Sequence, residues 1–248
     1  VETAPSAAEQ AYAKAALGVA LAEAGRRDQA EGFLRAGMEA EGQPAVIAIS
    51  AATLAGLIAA DEVVETSAMR DARLAEVAAL AVRAEQAGQG AGPIIRSIVA
   101  TSRARIALGA GDGATAQTLL ANAYAATRGL GVEVAQPLLS IGDTALEAGS
   151  PELAARAFAD AARFDGRIAA EAVLGTGAAA LALNQPEKAL NASDDAARYA
   201  ILTGAEDIHF SADWLRAEAL TRLGDANAAR SAYELAFEGL RDFRARTP

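Results

Sequence analysis

Small residues recur along this chain in sets of four, spaced seven, five and seven positions apart. Five such sets are present, and nineteen of their twenty members are alanine or glycine. Composition alone, with 70 alanine and 22 glycine residues in 248, would place about seven there. The sets are Gly18, Gly25, Ala30, Gly37; Ala104, Gly111, Ala116, Ala123; Gly142, Gly149, Ala154, Ala161; Gly177, Asn184, Ala189, Ala196; and Ala217, Gly224, Ala229, Ala236.

Each set predicts a helix, a tight turn and a second, antiparallel helix. The second member is always glycine or asparagine, which tolerate the left-handed backbone that ends a helix. The first and third members are small, so we expect the two helices to cross there. A bulky residue follows the third member by four positions, one helical turn along the same face, where it would fill the space between hairpins. These residues are Leu34, Leu120, Phe158 and Tyr233, and Ser193 is the exception.

The spacing predicts an all-α solenoid of six antiparallel helical hairpins in one array. We expect the hairpins at residues 5–42, 44–87, 93–128, 132–165, 167–203 and 205–246. The second hairpin lacks a turn residue, and we expect its helices at 44–60 and from a cap at Asp61 to about Gln86. The glycine-rich stretch at 87–93 predicts a possible joint.

Composition supports helix and narrows the range of partners. Alanine is the strongest helix former. The net charge of −10 is spread without a basic stripe, which argues against nucleic-acid partners. No apolar stretch reaches the roughly 20 residues that span a bilayer, so we expect no membrane insertion. Cysteine is absent, which excludes thiol chemistry.

The start of the chain bears on location. It begins at Val1 with a polar lead-in, typical of a mature exported protein whose signal was removed but equally consistent with an arbitrary boundary. We favour a periplasmic or exported protein over a cytoplasmic one.

The repeat resembles the tetratricopeptide repeat. The unit from Leu17 and Gly18 through Gly25 to Ala30 and Leu34 is the nearest match. The stretch Ala161–Gly166 resembles the segment that closes such a hairpin, with glycine where proline is usual. After Gly111, successive turn residues are separated by 38, 35 and 40 positions, which is longer than the usual repeat of 34 residues. The tryptophan and tyrosine that are usual in the first helix are mostly alanine or leucine here. The chain is therefore similar to a divergent, alanine-rich bacterial member.

The resemblance implies a right-handed superhelix whose concave groove binds a protein or peptide segment. By position, the implied groove residues are Tyr12, Arg105, Gln136, Asp143, Glu171, Trp214, Glu218 and Arg222. For Trp214 two placements stay open, packing between hairpins or facing the groove. We expect a non-enzymatic scaffold in a bacterial cell-envelope assembly. The alternative is a self-assembling structural protein, which includes a homo-oligomer.

Four features suggest chemistry but have simpler explanations. The segment 173–180, with Gly175 and Gly177, matches a dinucleotide-binding fingerprint near Asp194 and Asp195. That fingerprint needs a preceding strand, whereas the preceding residues favour helix, so a nucleotide-binding enzyme is the weakest alternative. Gly175 is not explained by the repeat.

The other three are a glycine-rich loop at 88–93 before Arg96 and Ser97, the lone His209 beside Glu206 and Asp207, and the adjacent pair Asp194 and Asp195. The loop is explained as a linker, the histidine as a solvated side chain, and the aspartate pair as part of a solvated helix face. We therefore predict no catalytic residue, cofactor or metal.

Overall fold

The computed structural model describes residues 6–60 and 66–246, and every regular element within them is a helix. The helices are α1 (Ala7–Glu23), α2 (Arg27–Met38), α3 (Pro44–Ala59), α4 (Ser67–Gln89), α5 (Pro93–Gly109), α6 (Gly113–Thr127), α7 (Ala135–Glu147), α8 (Pro151–Ala161), α9 (Arg167–Ala182), α10 (Pro186–Thr203), α11 (Glu206–Leu223) and α12 (Ala226–Arg246). A single 3₁₀ turn, Val132–Val134, precedes α7. The predicted all-α solenoid of six helical hairpins is confirmed.

The chain divides into two compact units, residues 1–128 and 129–248. The first unit contains the hairpins α1–α2, α3–α4 and α5–α6, and the second contains α7–α8, α9–α10 and α11–α12. The sequence placed its possible joint at 87–93, where Gly90 ends α4 and Pro93 begins α5. A single continuous array stays a prediction.

The five turn residues of the repeat all adopt the left-handed backbone. Four are glycines, and the fifth, Asn184, has φ of 55° and is the one described non-glycine residue with a positive φ. Asp112 caps the next helix by accepting a hydrogen bond from the Thr115 N–H at 3.0 Å, and Asp225 does the same for Ala228. Pro151 and Pro186 occupy the first turn of their helices, where a missing N–H costs nothing.

Two contacts between hairpins in the second unit pair one large side chain with one small one. Phe158 on α8 is 1% exposed, and a Cβ added to Gly142 on α7 or to Gly175 on α9 would lie 2.5 Å from its Cε1. The ring is thus held between two glycines, one from its own hairpin and one from the next. This contact accounts for Gly175, which the repeat alone left unexplained.

In the contact between the next two hairpins, the large and the small residue exchange positions. The position equivalent to Phe158 is Ser193, which is small and buried, and the position equivalent to Gly175 is Leu215. The Leu215 side chain reaches back to α9, where its Cδ2 lies 2.4 Å from a Cβ added to Gly177. Ser193 was the exception to the sequence rule, and Leu215 from the following helix fills the space instead.

Arginine side chains hold several helix ends to their neighbours. Arg27 donates to the Leu57 carbonyl at 2.7 Å, Arg83 to the Met38 carbonyl at 2.6 Å and Arg222 to the Leu181 carbonyl at 2.5 Å. Each carbonyl belongs to the last turn of a helix, where the helix dipole favours a positive charge.

The second hairpin departs from the sequence expectation at its turn. Asp61, expected to cap its second helix, lies outside the described residues. The described helix α4 begins at Ser67, and the Thr66 hydroxyl caps it by accepting from the Met69 N–H at 3.3 Å.

None of the helices in the described part of the chain combines the length and the apolar character that a membrane-spanning helix needs.

Candidate functional site: the aromatic groove of the last hairpin

The eight residues implied by the family resemblance lie on the first helices of their hairpins. Tyr12 and Arg105 belong to the first unit and the other six to the second. Glu171 and Glu218 are half-buried, and the remaining six are exposed. Their role in partner binding stays a prediction.

Three of these residues, on α11, have structural partners. Trp214 packs edge-on against Tyr233 of α12, with ring centroids 5.1 Å apart, and against Phe237 at 5.7 Å. Glu218 accepts a hydrogen bond from the Tyr233 hydroxyl at 2.7 Å, which raises the pKa of that phenol. Arg222 turns the other way and holds the end of α9. They therefore share a helix but not one free binding surface.

Glu171 belongs to an ion-pair chain between α9 and α11. Arg167 forms an ion pair with Glu171 at 2.6 Å. Its guanidinium also donates hydrogen bonds to both carboxylate oxygens of Asp207, one of them at 3.0 Å. This bidentate contact holds the pKa of Asp207 below its usual value. All three side chains are partly solvated, so their main effect is to align the two helices.

Of the two placements weighed from the sequence, Trp214 does not take the one buried between hairpins. Its side chain is 46% exposed and leans on α12. The equivalent position on α7 is Leu139, which is 4% exposed within its unit. Among the described helices, none follows α12 to cover Trp214 in the same way.

These contacts define an open groove between α11 and α12, which we call the end groove. Tyr233 and Phe237 line it, and Phe237 is 58% exposed. Trp214 packs edge-on against both of these rings at the border of the groove, and we call the three side chains together its aromatic wall. The groove is further lined by Thr221, Gly224, Ala226, Ala229, Arg230 and Glu234. Exposed aromatic side chains held in place by neighbours are the usual anchors of protein recognition.

Sequence reasoning included Trp214 and Tyr233 but missed Phe237. A signal was present, because five of the eleven aromatic residues lie in the last hairpin. These are Phe210, Trp214, Tyr233, Phe237 and Phe243. Phe210 and Phe243 pack together at 5.7 Å, and the other three form the wall of the end groove.

The dinucleotide fingerprint does not have the structure that its chemistry needs. Gly175 and Gly177 lie within the continuous helix α9, and no strand precedes them in the described chain. Both glycines are explained by the contacts with Phe158 and Leu215. At the other glycine-rich loop, Ser97 is completely buried and so cannot reach a ligand there.

The acidic residues near His209 point to separate partners. Asp207 pairs with Arg167, Glu206 with Arg246 at 2.7 Å, and His209 Nδ1 lies 3.5 Å from Asp213. Asp194 pairs with Arg216, and Asp195 with Arg198. Across residues 6–60 and 66–246, no three acidic or histidine side chains are grouped as metal ligands.

Asp213 provides a pH-dependent prediction. Burial raises its pKa above the ordinary 3.8, despite opposing attraction from His209 and Arg216. The folded protein therefore holds the proton on Asp213 more tightly than the unfolded chain does. Its contribution to the free energy of unfolding is fully present below pH 3.8 and is lost as the pH rises through the raised pKa of the folded state. We expect Asp213→Asn to raise the urea midpoint at neutral pH and to lose this advantage in acid. Asp195→Asn, which alters an exposed pair, serves as the control. An Asp213→Asn protein that is less stable than the native one at neutral pH would contradict this.

Comparison with known proteins shows the fold. The chain matches no known protein-family model and none of the curated proteins. The crystal structure of BtubC (BKLC) from P. vanneervenii is similar, with a TM-score of 0.62 and 14% sequence identity over 100% of this chain and 95% of that chain. A Rap protein complexed with competence and sporulation factor is also similar, with a TM-score of 0.57 and 13% identity over 94% of this chain and 67% of that chain. With identities this low, the comparisons show a helical-repeat fold.

Proposed function

We propose that this chain is a non-enzymatic scaffold that binds a helical protein segment in the end groove. The observation that carries the proposal is the aromatic wall of Trp214, Tyr233 and Phe237. Large apolar side chains are costly to leave in water, and a rigid exposed cluster of them is typical of an interaction site. A groove between two antiparallel helices suits an amphipathic helix, which would lie along it with its apolar face inward.

The wall is held in position before any partner binds. Trp214 contacts both other rings, and the Tyr233 hydroxyl is fixed by Glu218. Aromatic side chains that are already ordered lose little conformational entropy on binding, which favours affinity. The Rap protein of similar fold was crystallised in complex with competence and sporulation factor, which supports a binding role for a fold of this kind.

The finer assignment is a tetratricopeptide-like array. It is supported by the left-handed turn residues and by the buried small residues at the helix crossings. On that assignment, Tyr12, Arg105, Gln136, Asp143 and Glu171 would contribute to a second, concave binding surface. The absence of catalytic activity is supported by the pairing of the acidic side chains near His209 with arginines.

Affinity capture with a matched set of variants tests the proposal. We expect Trp214→Ala combined with Phe237→Ala to lose a specifically captured protein while the melting temperature changes little. Both side chains are about half exposed, so their removal leaves no closed cavity. Tyr199→Ala, which removes an aromatic side chain of 40% exposure from α10, is the control and should retain capture. Unchanged capture by the double variant would refute the end groove as the binding site.

A further inference from the structure

The contacts between hairpins indicate what kind of helix fits the end groove. In the second unit, two contacts between hairpins join a large residue to a small one: Phe158 with Gly175, and Leu215 with Gly177. Tyr233 is the equivalent of Phe158, because each lies four residues after the third small residue of its repeat. The helix that enters the end groove should therefore carry a small residue opposite Tyr233.

Helix α1 has an exposed face of this composition. Gly175 lies two positions before Gly177, the first small residue of its repeat, and the equivalent position before Gly18 is Ala16. Ala16 is exposed, as are Ala13 and Ala20, which share its face at helical spacing. In its own unit, α1 turns its other side to the protein and buries Ala15, Gly18 and Leu21.

Charge is complementary along the same face. Consecutive helices in this fold run antiparallel, so the N-terminal end of an incoming α1 would lie over the C-terminal end of α12. Glu9 lies two turns before Ala16, and Arg241 lies about two turns after Tyr233, with its side chain 73% exposed. The same register that places Ala16 over Tyr233 brings the Glu9 carboxylate, which also accepts hydrogen bonds from Ser6, near the Arg241 guanidinium, which also contacts Asp242.

We propose that the end groove binds helix α1 of a second copy of this chain. The inference rests on the proposed function of the groove and names its partner. In this contact, Ala16 packs on Tyr233 in the way that Gly175 packs on Phe158, and Trp214 and Phe237 are covered. The two surfaces differ, so the contact is heterologous and leaves a free surface of each kind on the pair. Association should therefore continue beyond two copies.

Sedimentation velocity of the full chain over a wide concentration range tests this proposal. We expect the native protein to form species larger than a dimer as its concentration rises. Ala16→Arg blocks the α1 surface and Phe237→Arg blocks the end groove, and both positions are exposed, so both variants should fold. Each variant alone should remain monomeric. Ala79→Arg, at an exposed position on α4, is the matched control and should associate like the native protein.

An equimolar mixture of the two blocked variants provides the decisive result. The Ala16→Arg chain retains its groove and the Phe237→Arg chain retains its α1 surface, so the mixture should form a complex of two chains and no larger species. If Ala16→Arg still self-associates while Phe237→Arg does not, α1 is not the occupant and the proposal is overturned. A native protein that stays monomeric at all concentrations also overturns it. The capture experiment then decides separately whether the groove binds a different protein.

Discussion

Replacing Phe158 with alanine is expected to lower the free energy of unfolding by about 3–5 kcal/mol. The ring is almost completely buried and contacts Gly142 of its own hairpin and Gly175 of the next. Both neighbours lack a side chain that could move into the space, so the cavity stays open and the loss should approach the upper end of that range. Urea denaturation of the full chain, followed by circular dichroism, measures the effect.

Phe237→Ala is the matched control for this substitution. It removes the same side chain from a position that is 58% exposed, so the loss of stability should be much smaller. Equal losses for the two variants would mean that Phe158 does not fill a closed space between hairpins.

Gly175→Ala is expected to destabilise the protein by about 1–3 kcal/mol, although glycine to alanine normally stabilises a helix. The added Cβ would lie 2.5 Å from Phe158 Cε1, and the ring has little room to move away because it is almost completely buried and lies equally close to Gly142. The gain in helix propensity, about 1 kcal/mol, is smaller than the cost of overpacking.

Gly32→Ala makes the opposite prediction and serves as the control. Gly32 lies in the middle of α2 with open space around its Cα, so the same substitution should stabilise by about 0.5–1 kcal/mol. Thermal melts of both variants give the two signs directly. A stabilising Gly175→Ala would contradict the packing of Phe158 between two glycines.

The sequence predicted the hairpins because their signals are local. A turn that needs a left-handed residue restricts the choice to glycine or asparagine, and Gly25, Gly111 and Asn184 show this restriction directly. Helix crossings that need small residues leave an equally plain pattern, seen in the complete burial of Ala104 and Ala154. Both constraints act within one hairpin, at fixed sequence spacing.

Contacts between hairpins were harder to predict, because either partner can supply the large side chain. Phe158 with Gly175 and Ser193 with Leu215 are two solutions to the same packing problem, and only the first resembles the repeat pattern. Gly175 therefore had no explanation from sequence, and Ser193 appeared to be an exception. The pair becomes visible only when the following helix is placed beside it.

The placement of Trp214 illustrates the same limit. Its helix phase puts it at a position that is buried in α7, where Leu139 stands. Whether this position is exposed depends on whether another helix covers it. The periodicity of residues along α11 does not predict such a neighbour. The sequence therefore identified Trp214 as distinctive but could not place its ring against Tyr233 and Phe237.

The central claim is that the end groove is an accessible docking surface, and the fluorescence of Trp214 tests it most directly. Trp214 is the single tryptophan of the chain, so emission excited at the indole band reports this groove alone. In the dilute, free protein, acrylamide should quench the emission readily. When the groove is occupied, by a second copy at high concentration or by a captured partner, the emission should shift to shorter wavelength and quenching should fall. Emission that is already shielded in the dilute monomer, or unchanged when the partner is bound, would contradict the claim.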